Sequence, residues 1–400
     1  MADRRPPVGL SAWRFVTTFG VISLLADVVY EGARSITGPL LASLGASAVV
    51  VGAVTGVGEA AALLLRVVSG PLADRTGRFW AWTITGYALT VFTVPFLGIV
   101  GVLWAAATLV IAERVGKAVR SPAKDTLLSH ATAVTGRGRG FAVHEAMDQV
   151  GAIAGPLAVA GMLVVFHDDY GPTLAMLVLP GVGVLVLLGW LRARVPEPAR
   201  YEVTAAEPTK TVVAQPMLRS LPRTFWVYSV FSAATMTGFT TFGVLSFHQV
   251  ERGIVAVALV PVIYAAAMAA DAVAALITGW AYDRVGARVL GALPVLAGLV
   301  PVLAFGNHLG PVLAGALVWG AAVGIQESTL RAVVADLVEP ARRATAYGVY
   351  AAVIGVAAAA GGALTGLLYS RSVALVIVVV VAIQAAALAV LPWVLRQTGR

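Results

Sequence analysis

Ionisable side chains stand inside stretches that are otherwise apolar, and their spacing suggests proton binding and ion pairing. Asp27, Glu31 and Arg34 recur at i, i+4 and i+7, with Tyr30 beside them, so one helical face would carry two carboxylates and a guanidinium. Glu31 can pair with Arg34, which leaves Asp27 to take a proton or meet a cation. Glu59 and Arg66, seven apart, share a face in the same way. His144, Glu145 and Asp148 lie within about one turn, a grouping suited to proton exchange. Asp271 stands among alanines with no basic neighbour in its own helix. Glu113 with Arg114, and Glu327 with Arg331, fall in similar places in the two halves of the chain and read as inner-gate partners. Bond-making chemistry is not indicated. There is no His-Glu-x-x-His, no Gly-x-Ser-x-Gly and no cysteine, and Gly116-Lys117 is followed by Ala118 rather than Ser or Thr. The expectation is a non-enzyme with no catalytic residue, no metal site and no cofactor.

The elements that position these residues follow from composition. Hydrophobic residues make up 59% of the 400 and charged residues only 12%, about half the charge of a typical soluble domain. Apolar runs such as Val373 to Leu391 carry no charge at all. A helix needs about 20 residues to cross the hydrocarbon layer, and in lipid only helices and closed barrels satisfy their backbone groups. The runs lack two-residue alternation, so helices are expected. Twelve spans are placed at 13–44, 48–70, 79–100, 102–120, 139–164, 172–191, 224–249, 254–280, 289–306, 311–332, 344–369 and 372–395. The fold class expected is an all-α membrane protein of twelve transmembrane helices in two pseudo-symmetric six-helix bundles, residues 1–191 and 224–400. A proline-rich polar linker, 192–223, joins them.

Charge orients the chain. Of 28 Lys and Arg, only Arg252 and Arg371 fall on one side, Arg34 and Arg66 lie within spans, and the remaining 24 fall on the side of the linker and both termini. The positive-inside rule therefore puts linker and termini in the cytoplasm, in a multi-pass protein of the cell membrane. The net charge of +8 is read as orientation, not as a nucleic-acid surface. A monomer is expected.

A repeat ties the halves together. Gly70, Asp74, Arg75 and Gly77 recur as Gly279, Asp283, Arg284 and Gly286, at an offset of 209, with Arg78 and Arg288 closing each loop. Arg120 and Asp125 echo as Arg331 and Asp336, at an offset of 211. On these residues the chain resembles the major facilitator superfamily. Gly70 to Arg78 is similar to that family's loop between spans two and three, Gly-x-x-x-Asp-Arg-x-Gly-Arg. The resemblance implies two bundles rocking about a central site. It also implies that both loops act as a latch stabilising the outward-open state. Gly151-x-x-x-Gly155-Pro156 resembles the family's antiporter motif and is read as a hinge or packing element, although Val159 and Ala160 stand where that motif has Gly-Gly.

Spans 3, 6, 9 and 12 contain no ionisable residue, as expected of lipid-facing supports. Charged groups near mid-membrane are costly and should face a cavity or each other. Deep in the spans, Asp27, Glu31, Glu59, Glu145, Asp148 and Asp271 outnumber Arg34 and Arg66, an excess that suits protons or cationic solutes. The expected function is proton-coupled movement of a small solute by alternating access. Drug or metabolite efflux is the first form considered; uptake of a nutrient or metal chelate is the alternative.

Overall fold

The computed structural model describes residues 9–204, 221–339 and 343–397. The described residues form α-helices joined by short turns. Before the linker come α1 (Ala12–Ser43), α2 (Ala48–Leu64), α3 (Arg66–Thr76), α4 (Phe79–Ile99), α5 (Leu103–Thr135), α6 (Arg137–Val165), α7 (Tyr170–Met176) and α8 (Val178–Arg194). A short α9 (Arg200–Thr204) follows. After the linker come α10 (Arg223–Thr237), α11 (Phe242–Glu251), α12 (Val260–Val285), α13 (Ala292–Ala304), α14 (Leu309–Leu337), α15 (Arg343–Arg371) and α16 (Val373–Gln397). Most of the linker, 205–220, lies outside the described residues.

Ten segments among the described residues are long and apolar enough to cross a membrane. One of them, Val257–Ala304, is 48 residues long and turns back on itself. Gly286, at φ 64°, ends α12, and the 3₁₀ stretch Gly286–Gly291 leads into α13. This segment therefore counts twice. The remaining pass is α5, which carries Glu113, Arg114, Lys117 and Arg120 where an uncharged run would stand. Twelve passes result. Three of them are two helices in series, α2–α3, α7–α8 and α10–α11.

One boundary differs from expectation. The fourth span is expected at 102–120. Instead α5 continues to Thr135 with Pro122 inside it. A proline lacks the N–H that would bond the carbonyl four residues earlier, here that of Ala118. The Ser69 hydroxyl donates to that carbonyl at 2.7 Å from α3. The freed acceptor is satisfied, and the helix runs on.

Glycines set how closely the passes approach. A Cβ on Gly151 would stand 2.5 Å from the Leu24 carbonyl oxygen, and one on Gly155 2.6 Å from that of Val28. These two glycines therefore let α6 lie directly on α1, at the turn that carries Asp27, with Pro156 following in the same helix. Across the two halves, Gly52 and Gly362 bring α2 against α15, and Gly38 lies on the Gly243 backbone of α11. Thr55 and Thr241 share a hydrogen bond at 2.9 Å. These contacts close the end of the molecule opposite the linker. The linker end is marked by the Tyr201 hydroxyl donating to the Leu10 carbonyl at 2.8 Å, and by His130 beside Glu202 at 3.2 Å.

The two repeated loops each turn on a glycine at positive φ, with different ψ. Gly77 caps α3 at φ 63°, and Gly286 ends α12 at φ 64°. Any other residue would be strained there. Large apolar side chains on α4, α8, α13 and α16 point outward, among them Phe96, Leu179, Val302 and Val378.

Candidate functional site

A cavity of about 980 Å³ lies between the two halves. Asp27, Tyr30, Glu31, Arg34, Glu59, Glu145, Asp148 and Asp271 all line it, so one space gathers side chains from α1, α2, α6 and α12. Its lining reaches Gly70, Asp125 and Tyr347 at the linker end, and stops at Thr55, Thr241 and Gly243 at the sealed end. Among the described residues, none from α4, α8, α13 or α16 contributes to it. The charge-free spans are thus supports, as their composition indicates.

The charges form a chain of contacts along the wall before the linker. Arg34 pairs with Glu59 at 2.6 Å and with Glu31 at 3.4 Å. Arg114 lies 3.8 Å from Glu59 and 3.1 Å from Glu113. The Tyr264 hydroxyl, on α12, donates to Glu31 at 2.5 Å and so connects the two halves. On α5 and α6, Lys124 approaches Asp148 at 3.6 Å and the His144 ring at 3.0 Å, and His144 lies 3.7 Å from Asp148.

Comparison with known proteins places this arrangement. The family model of the Major Facilitator Superfamily matches residues 19–306 and 255–399. The chain belongs to the major facilitator superfamily. An uncharacterized protein of Mycobacterium tuberculosis (strain ATCC 25618 / H37Rv) is 65% identical over 382 residues, covering 95% of this chain and 92% of the relative. An uncharacterized MFS-type transporter of Methanocaldococcus jannaschii is 23% identical over 366 residues, covering 89% of each. The crystal structure of a mutant of the nucleoside transporter NupG superposes with a TM-score of 0.77 at 13% identity, covering 95% of this chain and 99% of that one. A bacterial homologue of the human lysosomal transporter Spinster, in an inward-facing and occupied conformation, gives 0.71 at 14% identity, covering 98% and 97%.

Within this superfamily fold the acids separate into two kinds. Glu31, Glu59, Glu113 and Asp148 have the cationic partners given above. Asp27 and Asp271 are 5% and 4% exposed, line the cavity, and make no hydrogen bond or ion pair among the described residues. Gly324 makes room for Asp271, because a Cβ there would stand 2.8 Å from the Asp271 Oδ1. Glu145 is exposed at the wide end, as is Glu327.

The proposed gate residues Arg114 and Glu327 line the cavity, whereas most of the latch residues sit apart from it. Glu113 and Arg114 are buried mid-helix and joined to Glu59, because α5 runs fifteen residues past its expected end. The Arg331 side chain lies outside the described residues. Asp74, Arg75, Arg78, Asp283 and Arg288 are exposed at the linker end, away from the cavity. Among the described residues Asp74, Arg75, Arg78 and Asp283 make no ion pair. Arg284 stacks over Trp280 at 3.4 Å, and in the second loop Tyr282 donates to Asp336 at 2.6 Å. Gly70 lines the cavity mouth; Gly279 faces open space.

Sequence reasoning missed three cavity cations. Lys117, Arg120 and Lys124 line the same space, although they were counted with Arg114 among the charges that orient the chain. The lining therefore carries eight acids (Asp27, Glu31, Glu59, Asp125, Glu145, Asp148, Asp271, Glu327) against six bases (Arg34, Arg66, Arg114, Lys117, Arg120, Lys124). The expected strong acid excess is not present. The signal was available: 117, 120 and 124 share one helical face once the helix is continued past 120.

Proposed function

We propose that this transporter moves a small solute by alternating access and couples that movement to protons. The carrying observation is the cavity itself. It is lined by buried ionic groups, reaches the surface at the linker end, and is closed at the other by α1 on α11 and α2 on α15. On the charge distribution the linker end is cytoplasmic, so the conformation described is inward-open. The halves before and after the linker are the two moving bodies.

Asp27 and Asp271 are the proton carriers in this reading. A buried carboxylate without a partner is costly inside a membrane, and binding a proton removes that cost. Groups facing Asp27 are Glu31 and Tyr30 on its own helix, Lys117 and Arg120 on α5, and Asp148 on α6. Asp271 faces Glu31 and Arg34 on α1, Glu145 on α6 and Glu327 on α14. Each acid stands where a proton changes the balance of charge between the halves, and so the relative stability of two packings. The loops at Asp74 and Asp283 are latches for the alternative conformation, which is consistent with the exposed, unpaired Asp74, Arg75 and Arg78 seen here.

The cavity is large enough for a metabolite or drug-sized solute. Solved relatives of this fold are described as nucleoside and peptide transporters, solutes of that size range. The test is solute-dependent proton flux in proteoliposomes carrying a pH-sensitive dye. Flux that follows the pH gradient and disappears in Asp271→Asn supports coupling. Solute uptake indifferent to the gradient contradicts it.

A further inference from the structure

The cations on α5 converge on one aromatic ring. Lys117 Nζ lies 4.7 Å from the centre of Tyr30, Arg120 Cζ 5.2 Å and Arg114 Cζ 5.9 Å. Arg114 has carboxylate partners in Glu113 and Glu59. Lys117 and Arg120 have none within ion-pairing distance among the described residues. Lys117 reaches only the Tyr30 hydroxyl, at 3.4 Å, and Arg120 donates to Thr90 at 2.7 Å while stacking over Tyr87 at 4.6 Å. Arg120 is 4% exposed. Asp27, one turn from Tyr30, forms no ion pair with either.

A cation in the low-dielectric interior without an ion-pair partner is costly, and aromatic faces and neutral hydroxyls offset only part of that cost. Asp27 and Glu31 face this pair from α1, but neither comes within ion-pairing distance of Lys117 or Arg120, so an anion bound directly between the two cations would relieve that cost. The opposite wall has different chemistry. Phe239, Phe242 and Trp319 line it, with Phe242 and Trp319 centred 5.3 Å apart and the Trp319 indole donating to the Thr240 carbonyl at 2.8 Å. That hydrogen bond, with the Phe239 ring stacked on the indole, fixes an aromatic cluster at the edge of the cavity.

We propose that Lys117 and Arg120 form a subsite for an anionic group on the transported solute, a carboxylate or a phosphate, while its apolar body lies against Phe239, Phe242 and Trp319. This inference rests on the transporter reading and names the substrate class for the same cavity. It reverses the preference for cationic solutes that the sequence alone suggested. Arg120 fixes the position of the charge. Lys117, partly exposed, closes on it. Lys117 then exchanges its weak contact with Tyr30 for a charge-assisted hydrogen bond.

A matched set of probes on one aromatic body tests this: 4-biphenylacetic acid, its amide, the corresponding amine, and 4-biphenylyl phosphate. Binding to the purified full-length protein is measured by calorimetry at one pH. The acid or the phosphate should bind about tenfold tighter than the amide, the amount expected of one charge-assisted hydrogen bond. The amine should bind more weakly than either. Which anion is preferred separates carboxylate from phosphate solutes. Lys117→Gln should abolish the preference for the anion, and Lys117→Arg should keep it. The proposal is overturned if neither anion is preferred over the amide, if the amine binds best, or if Lys117→Gln leaves the preference intact. The comparison within the unmodified protein does not depend on any variant folding. Proton-driven flux of a neutral or cationic solute, together with no anion preference, would remove the subsite and leave the transport reading standing. An anion preference with flux indifferent to the pH gradient would do the reverse.

Discussion

The helices before the linker and those after it share an architecture and a repeated loop, yet they bring different chemistry to the cavity between them. The first half supplies all six of its basic residues and six of its eight acids. The second half supplies aromatic and thioether side chains, with Asp271 and Glu327 as its acids. The repeated features belong to the fold: glycines at positive φ that end α3 and α12, and four outward-facing supports. The unrepeated features face the cavity. In the proposed mechanism, pseudo-symmetry describes how the molecule moves, and its breakdown describes what it holds. The two halves meet electrostatically where Tyr264 donates to Glu31, which Arg34 in turn contacts.

That contrast can be broken from the charged side first. Arg34→Ala leaves Glu31 and Glu59 without their nearest cation, and losing one member of a partly buried pair costs about 1–3 kcal/mol, between the exposed and fully buried cases. The expected result is a clear fall in thermal unfolding temperature together with loss of transport. An unchanged unfolding temperature would show that the network contributes little.

Next is the seam that holds the halves together at the sealed end. Gly52→Leu places a side chain against the Gly362 backbone, and overpacking of this kind costs about 1–3 kcal/mol. The seam should part, biasing the molecule away from the conformation described. The chain has no native cysteine, so a single cysteine at Thr241 gives a clean readout. It should react faster with a membrane-impermeant thiol reagent from the sealed side in the leucine variant. Equal reactivity would contradict the assignment of that seam.

Asp271→Asn sharpens the comparison on the other side. It removes a buried acid that has no partner among the described residues, so stability should change by less than about 1 kcal/mol while proton coupling is lost. Normal insertion with normal coupled flux would reduce Asp271 to packing. The smallest effect is expected at the latch. Asp74→Asn should alter unfolding stability by about 0.5 kcal/mol or less, since Asp74 is exposed here and forms no ion pair among the described residues. The change should appear as a shift in the distribution between conformations.

Much of this was legible in the sequence. Apolar length and the repeat revealed the twelve passes, because each pass must be long enough and dry enough to span lipid. The absence of ionisable residues on every third span identified the supports for the same reason. The acids of the cavity were legible because charge is rare in such stretches. The α5 cations were not, because a span placed at 102–120 puts them at its end and beyond, among the charges that orient the chain. Only a structure shows Ser69 satisfying the carbonyl that the proline leaves free. Once α5 was cut short, Lys117, Arg120 and Lys124 looked like ordinary charges at a membrane edge. Pairing was equally out of reach: spacing along one helix suggests Glu31 with Arg34, but the 2.6 Å contact between Arg34 and Glu59 joins two helices.

The central claim is that one end of the cavity closes as the other opens. Pulsed electron spin resonance on two doubly labelled variants in nanodiscs, between pH 5 and 8, tests it directly. One pair is Asp125→Cys with Tyr347→Cys across the open mouth, and the other is Ser47→Cys with Ser370→Cys across the sealed seam. The account predicts that the mouth distance shortens in the same fraction of molecules in which the seam distance lengthens. Two distances that stay fixed, or that lengthen together, would contradict it.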